Sequence, residues 1–120
     1  MAAYRGMSWT DGTPTAWIAR VRPYVTATLD SQDEQYADAG GGADWQAFVA
    51  GQCTSTVTDL GAVIPSESPG TATAVNVEVT GTVHTACDAG QQAMPIGAAS
   101  ATLVVIHLSD GSWRVDQRLY

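Results

Sequence analysis

Residues 71–87 read TATAVNVEVTGTVHTAC, and this stretch decides the fold class. Apolar and polar residues alternate along it. One face carries Val75, Val77, Val79 and Val83. The other carries Asn76, Glu78, Thr80, Thr82 and His84. A period of two in a segment rich in Val and Thr is typical of a β-strand with one buried face, so we predict a strand over residues 71–85.

Further strands are predicted on both sides of this stretch. Residues 53–64 form the strand before it, with a less regular pattern. Residues 101–108 are apolar on both faces, so their strand is expected to be central in the sheet or covered. Asp110-Gly111 is a strong signal for a type I′ hairpin turn into a last strand over residues 112–120. These segments predict an antiparallel meander of about four strands, and residues 91–99 read as a loop.

The last of these strands also alternates between two faces. Its apolar face carries Trp113, Val115 and Leu119. Its polar face carries Arg114, Asp116 and Arg118. If Trp113 and Val115 face the core, Asp116 is expected to point outward.

Upstream, the segment TPTAWIARVRPYVTATL over residues 13–29 has a helical period. Thr13 offers an N-cap hydroxyl, and Pro14 suits the first helical position. Apolar residues recur every four positions, at Trp17, Val21, Val25 and Leu29. We predict an amphipathic helix with one buried face, which Pro23 either bends or splits.

The order of the elements predicts the architecture. Residues 31–37 and 44–50 each fit one or two further helical turns, so the helical part covers residues 13–50. Strands then follow over residues 53–120. This order predicts an α+β fold, with N-terminal helices packed on a curved antiparallel sheet. A chain of 120 residues is long enough for one domain, which we assign to residues 1–120.

The strand pattern predicts that Cys53 and Cys87, the two cysteines, meet across a hairpin. If Pro69-Gly70 turns the first strand into the second, residues 53 and 87 lie opposite each other, because each is 17 residues from residue 70. A disulfide there would stabilise the fold by about 3–4 kcal/mol in the chain-entropy model. Two buried free thiols are the alternative.

A disulfide also bears on location, because such bonds persist in oxidising compartments. The chain begins MAAYRG, without the apolar segment of a signal peptide, and it has no apolar run of the length that spans a bilayer. We therefore expect an extracytoplasmic protein, membrane-anchored or secreted, whose anchor or signal lies outside this sequence.

The charge balance excludes several classes of partner. Twelve acidic residues stand against five arginines and no lysine, which gives a net charge of −7. Binding to the phosphate backbone needs clustered cations, so no nucleic-acid partner is expected. Contact with a membrane is expected only through an anchor absent from this chain. The excess of negative charge favours basic partner proteins.

Few residues are arranged for catalysis or metal binding. His84 and His107 belong to no HExxH or CxxC motif, so structural roles are expected for both. Glu78 lies on the same strand face as His84, which leaves a metal or acid–base pair as the weaker alternative. The run Gly40-Gly41-Gly42 lacks the lysine of a phosphate-binding loop, and no GxSxG motif occurs. We predict no catalytic residue, no metal and no cofactor.

The positions of two further groups of residues, on the surface or in the core, are predicted from their composition. A run of acidic residues is expected to form a solvated face: Asp30, Asp33, Glu34 and Asp38. The tryptophans are expected in the core and its cover, with a partner-binding patch as the alternative: Trp9, Trp17, Trp45 and Trp113.

The chain resembles the cystatin-like or nuclear-transport-factor-like α+β cone in two segments. The first is the helical segment TPTAWIARVRPYVTATL, and the second is the final hairpin LSDGSWRVDQRLY. In the latter, Asp110-Gly111 followed by Trp113, Arg114 and Val115 resembles the last hairpin common in that superfamily.

A finer resemblance rests on Arg22-Pro23-Tyr24, set before a Gly/Ala linker and a Val-rich strand. This layout is similar to extracytoplasmic domains of membrane-anchored proteins in actinobacterial conjugative elements, which belong with the TcpC and VirB-type assembly factors of type IV secretion. The resemblance implies a non-enzymatic scaffold that forms homo-oligomers and holds other secretion or transfer proteins.

Two other functions remain open within the same fold. One is a small-ligand binder or an isomerase- or cyclase-like enzyme, with Tyr24, His84 or Asp116 as the polar group of a cavity. The other is a secreted inhibitor or immunity-type module. Fold alone does not separate these classes, because one fold hosts binders and catalysts alike.

Overall fold

The computed structural model describes residues 1–67, 70–89 and 96–119, which form a set of short helices and a five-stranded sheet. The helices are α1 (Ala2–Arg5), α2 (Trp17–Val21), α3 (Ala27–Glu34) and α4 (Gly42–Ala50). Short 3₁₀ turns lie at Trp9–Asp11 and Arg22–Tyr24. The strands are β1 (Met7–Ser8), β2 (Cys53–Val63), β3 (Ala74–Cys87), β4 (Gly97–His107) and β5 (Trp113–Leu119).

The strands lie in chain order, and every neighbouring pair is antiparallel. The predicted α+β meander is confirmed. The sheet has one strand more than the predicted four or so, because β1 pairs Met7 with Ser55 and Ser8 with Thr54. A strand of two residues is too short for an alternating pattern to reveal it.

The β2–β3 hairpin follows the symmetric register predicted at its open end. Cys53 lies opposite Cys87, and the register holds as far as Thr58 opposite Thr82. It then shifts by one residue, beside Asp59, whose backbone has a positive φ of 52°. Such a bulge absorbs an extra residue without disturbing the open end. Pro69 of the predicted turn lies outside the described residues.

β4 begins earlier than predicted. The loop was expected to extend to residue 99, but Gly97, Ala98 and Ala99 already pair with β3, so Ile96 is the last residue before the strand. Small residues have low strand propensity, but pairing with a long neighbouring strand overrides it. Residues 91–95 lie outside the described part of the chain.

The turn between β4 and β5 is not the predicted type I′ turn. That type needs a positive φ at both central residues, whereas here Gly111 has one, at 87°, and Asp110 does not. The Gly111 amide donates to the Leu108 carbonyl at 3.0 Å. The Asp110 carboxylate accepts from the amide and the hydroxyl of Ser112, at 2.9 and 2.6 Å. The turn is therefore held by a side chain as well as by the backbone.

A second register shift reverses the predicted faces near the end of β5. Pairing with β4 skips Asp116, so this residue is an extra one in the strand. Beyond it, Arg118 points to the helices and reaches Asp33 of α3, while Leu119 is 47% exposed. The prediction that Leu119 shares the buried face of Val115 is wrong, because a bulge inverts the alternation of every later residue.

The helical segment splits at Pro23, which was one of the two outcomes predicted. The helix starts later than expected, at Trp17, because Thr13 caps only a turn, accepting from the Thr15 amide at 3.0 Å. Pro23 lies in the 3₁₀ turn between α2 and α3. The predicted apolar stripe forms the core: Val21, Val25 and Leu29 are buried and pack against Trp17, Ala3, Tyr4 and Val115.

The later helices also differ in their limits. Of the helical turns predicted over residues 31–37, residues 31–34 belong to α3 and residues 35–37 form a turn after it. Helix α3 starts at Ala27, where the Thr26 hydroxyl accepts from the Leu29 amide at 3.2 Å. Helix α4 starts at Gly42 rather than at Asp44. With nine residues it is the longest helix in the described ranges, none of which contains a helix long and apolar enough to cross a membrane.

Candidate functional site

A cavity of about 430 Å³ lies between the helices and the middle of the sheet. We call it the central cavity. Its sheet wall is formed by Val79, Ala101, Leu103, Val115 and Arg118. Its other wall is formed by Val21, Tyr24, Val25 and the first four residues of the chain. The volume is within the range of small-ligand sites, and the walls are mostly apolar.

Of the three polar groups predicted for such a cavity, only Tyr24 lines it. Tyr24 is 62% exposed. Asp116 instead accepts a hydrogen bond from the Thr26 hydroxyl at 2.8 Å. The Nε2 atom of His84 lies 3.0 Å from the hydroxyl of Thr58 on β2. Among the described residues that line the central cavity, none carries a carboxylate side chain.

Asp33 is buried, which corrects its assignment to a solvated acidic face. Its carboxylate accepts two hydrogen bonds from Arg118, at 2.7 and 2.9 Å. Asp33 follows Leu29 by one helical turn, so both side chains point to the sheet. The Arg118 guanidinium lies 5.0 Å from the ring centroid of Tyr4 and 5.4 Å from that of Trp17. This cluster, which sequence analysis missed, joins α3 to β5.

A second cavity, of about 600 Å³, lies between α4 and the open end of the β2–β3 hairpin. We call it the lateral cavity. Trp45 and Phe48 line it from α4, with ring centroids 5.5 Å apart and planes inclined by 18°. Cys53 and Cys87 line it from the sheet, where they form a disulfide. Neither the spacing of α4 from the sheet nor this cavity has a local signal in the sequence.

The outer edge of β2 is a third feature with a bearing on function. Within the described residues, β1 pairs with this edge only at Thr54 and Ser55. Beyond them, Leu60, Val63 and Ile64 are 56%, 60% and 63% exposed. The opposite edge of the sheet is partly covered, because the Thr26 amide donates to the Val115 carbonyl of β5 at 2.9 Å.

The histidines have local structural contacts. His107 stacks on Trp113 with ring centroids 4.6 Å apart, and its Nε2 lies 3.1 Å from the Gly111 carbonyl oxygen. Glu78 is six residues from His84 along β3, a span of about 20 Å, and the two are not brought together. In the part of the chain that the structure describes, no group of three or more His, Cys, Asp or Glu residues could hold a metal ion.

The tryptophans divide between cover and surface. Trp9, Trp17 and Trp45 are half-buried. Trp17 meets Tyr4 edge to face, with ring centroids 4.7 Å apart. Trp113 is 44% exposed at the end of the sheet. Among the described residues no large side chain is completely buried.

Comparison with known proteins places this architecture in one fold class. No protein-family model matches the chain, and no curated protein matches it. A solved structure described as an "Ntf2 like protein involved in plasmid conjugation" aligns with a TM-score of 0.56 over 99% of this chain, at 16% identity. The aligned part is 44% of that structure's chain, so this chain spans less than half its length. The chain has the nuclear-transport-factor-like fold, a cone of helices against a curved antiparallel sheet.

Proposed function

We propose that this chain is a non-enzymatic scaffold domain of a conjugative-transfer apparatus, of the TcpC and VirB type that serves type IV secretion. The observation that carries the proposal is the edge of β2 beyond Ser55, which no other strand of the described residues covers and which has exposed apolar side chains. The structural neighbour that is described as involved in plasmid conjugation supports the assignment to conjugative transfer. Scaffold domains act by binding, so the surface that binds is the functional site.

The β2 edge is suited to pairing with another strand. A strand edge presents unpaired amide and carbonyl groups, and soluble proteins usually blunt long exposed edges with charge, proline or cover. From residue 56 to 63 this edge carries one charged side chain, Asp59, and the bulge beside it, but no proline, so residues 56–58 and 61–63 are the segments open to pairing. Val63 and Ile64 add exposed apolar surface beside it. Exposed apolar surface next to unpaired backbone favours β-strand addition.

We propose that a second copy of the chain binds at this edge. Two β2 edges can pair antiparallel about a twofold axis, so that the same residues meet from both copies. The net charge of −7 on each copy opposes this contact, so self-association is expected to strengthen with ionic strength. Other transfer proteins, basic ones in particular, would bind the remaining surface.

We also propose an extracytoplasmic location, as a membrane-anchored or a secreted protein. The disulfide between Cys53 and Cys87 supports it, because such bonds are rare in reducing compartments. The acidic composition disfavours a nucleic-acid partner.

Sedimentation equilibrium of the whole chain tests the scaffold role. The expected result is a concentration-dependent dimer or higher oligomer that Val63→Lys weakens by about tenfold or more, because the lysine places a charge in the contact. Ile96→Lys is the matched control, since Ile96 is equally exposed, at 67%, but lies before β4. A chain that stays monomeric at all concentrations and ionic strengths would remove the self-association on which the proposal depends.

A second candidate function is the binding of a small apolar ligand, which the central cavity favours. The substitution Ala101→Phe would fill part of the cavity from the sheet side. If the cavity binds ligands, the fluorescent probe anilinonaphthalene sulfonate gains fluorescence with the original chain and loses that gain with Ala101→Phe. Equal fluorescence with both proteins would contradict this function.

A further inference from the structure

We propose that the lateral cavity binds an arginine side chain presented by a partner protein. This inference rests on the proposed function and assigns a contact distinct from the β2 edge. The cavity, at about 600 Å³, is large enough for a long side chain together with its neighbours. It lies between α4 and the disulfide end of the sheet.

One wall of the cavity is rigid. Cys53, which is buried, is bonded to Cys87, and the hydroxyls of Ser55 and Thr85 lie 2.6 Å apart across the same pair of strands. All four residues line the cavity. A wall fixed in this way loses little conformational freedom when a ligand binds.

The other wall is aromatic and incompletely covered. Helix α4 has no buried residue, although Trp45, Phe48 and Val49 make it apolar. The stacked rings of Trp45 and Phe48 are half-buried and line the cavity. Aromatic groups that a chain leaves uncovered are typical of binding sites. A guanidinium is planar and stacks on such rings, which a compact ammonium group does less well.

In the described part of the chain, the lining of the cavity carries one negative charge and no positive charge. Asp44 is the charged residue in its lining, and within the described residues its carboxylate makes no ion pair. None of the chain's own arginines lines the cavity. Three of them are paired with other acids: Arg20 with Asp11, Arg22 with Asp30, and Arg118 with Asp33. The Asp44 carboxylate is exposed in the first turn of α4, beside the two aromatic rings, and is accessible to a cation from a partner protein.

The test compares two peptides that differ in charge but hardly in shape. The probes are acetyl-Leu-Arg-Leu-amide and the same peptide with citrulline, the neutral analogue of arginine. Each is titrated into the isotope-labelled, disulfide-bonded chain while its NMR spectrum is followed. The arginine peptide is expected to shift the indole N–H of Trp45 and to bind at least about fivefold more tightly than the citrulline peptide.

Two variants and a control locate the effect. Asp44→Asn and Trp45→Leu are each expected to weaken binding of the arginine peptide by about fivefold, whereas Asp38→Asn removes an exposed charge outside the cavity and is expected to leave binding unchanged. The proposal is overturned if the arginine peptide does not bind at millimolar concentration, if citrulline binds equally well, or if the shifts fall around the central cavity. Self-association in the sedimentation experiment is independent of these outcomes, so a failure here leaves the scaffold role standing.

Discussion

Arg118 of β5 and Asp33 of α3, 85 residues apart in sequence, form a two-point ion pair beneath the rings of Tyr4 and Trp17. The Arg118 and Asp33 side chains are 11% and 6% exposed. This pair links the helices to the last strand of the sheet. Breaking it is expected to have a larger effect than breaking the more exposed pairs of Arg20 with Asp11 and Arg22 with Asp30, because charge-assisted hydrogen bonds away from water contribute more to stability.

The first prediction concerns this pair. Asp33→Asn removes a buried carboxylate that accepts two hydrogen bonds from Arg118 and is expected to lower the free energy of unfolding by about 1.5–3 kcal/mol, measured by urea denaturation. Asp30→Asn, at the more exposed pair with Arg22, is expected to cost less than about 1 kcal/mol. Similar losses for the two variants would show that the buried pair does not hold the layers together.

The disulfide gives a second prediction. Cys53 and Cys87 are separated by 34 residues, and joining them restricts the unfolded chain. The double substitution to serine is expected to lower the free energy of unfolding by about 3–4 kcal/mol. Reduction of the original chain should shift its urea midpoint in the same direction. A midpoint that is the same in the oxidised and reduced chains would count against any stabilising role.

A third prediction concerns the pH response of the β4–β5 turn. Hydrogen bonds from the Ser112 hydroxyl and amide hold the pKa of Asp110 below its ordinary value. Because the folded-state pKa is lowered, the stabilisation is present above the ordinary pKa of Asp and is lost as pH falls through the folded-state pKa. Ser112→Ala is expected to raise the pKa of Asp110, followed by the NMR shift of its carboxyl carbon. An unchanged pKa would show that the Ser112 hydroxyl does not set it.

Gly81 provides a fourth prediction, about the curved sheet. A Cβ atom at this buried position of β3 would lie 2.8 Å from Cγ1 of Val57. Gly81→Ala is therefore expected to lower the free energy of unfolding by about 1–3 kcal/mol. Gly97→Ala is the control, because a Cβ there meets nothing within 4 Å. If both substitutions are tolerated equally in urea denaturation, β2 and β3 do not approach as closely as described.

Much of the fold could be predicted because it depends on patterns within single segments. The four-residue spacing of Trp17, Val21, Val25 and Leu29 identified the core face of the helices. The equal distance of Cys53 and Cys87 from residue 70 identified the hairpin register. The apolar stripe can be recognised from helical geometry alone. The hairpin register can be derived from the assumption that the two strands pair evenly from their open end.

What the sequence did not reveal depends on contacts between segments. The extra residue at Asp116 is defined by pairing with β4, so the alternation within β5 could not show that Arg118 turns inward. Asp33 continues the four-residue spacing of Leu29, but its pairing with Arg118 follows only from the inverted end of β5. The two cavities likewise arise from the spacing of helices and sheet, which no single segment encodes.

The central claim is that copies of this chain associate through the free edge of β2. Hydrogen exchange of the amides in residues 56–63 tests it most directly, measured at low and at high protein concentration. The account predicts that outward-pointing amides of this edge become protected at high concentration, and that Val63→Lys removes this protection. Protection that does not change with concentration, or that changes only elsewhere in the chain, would contradict the claim.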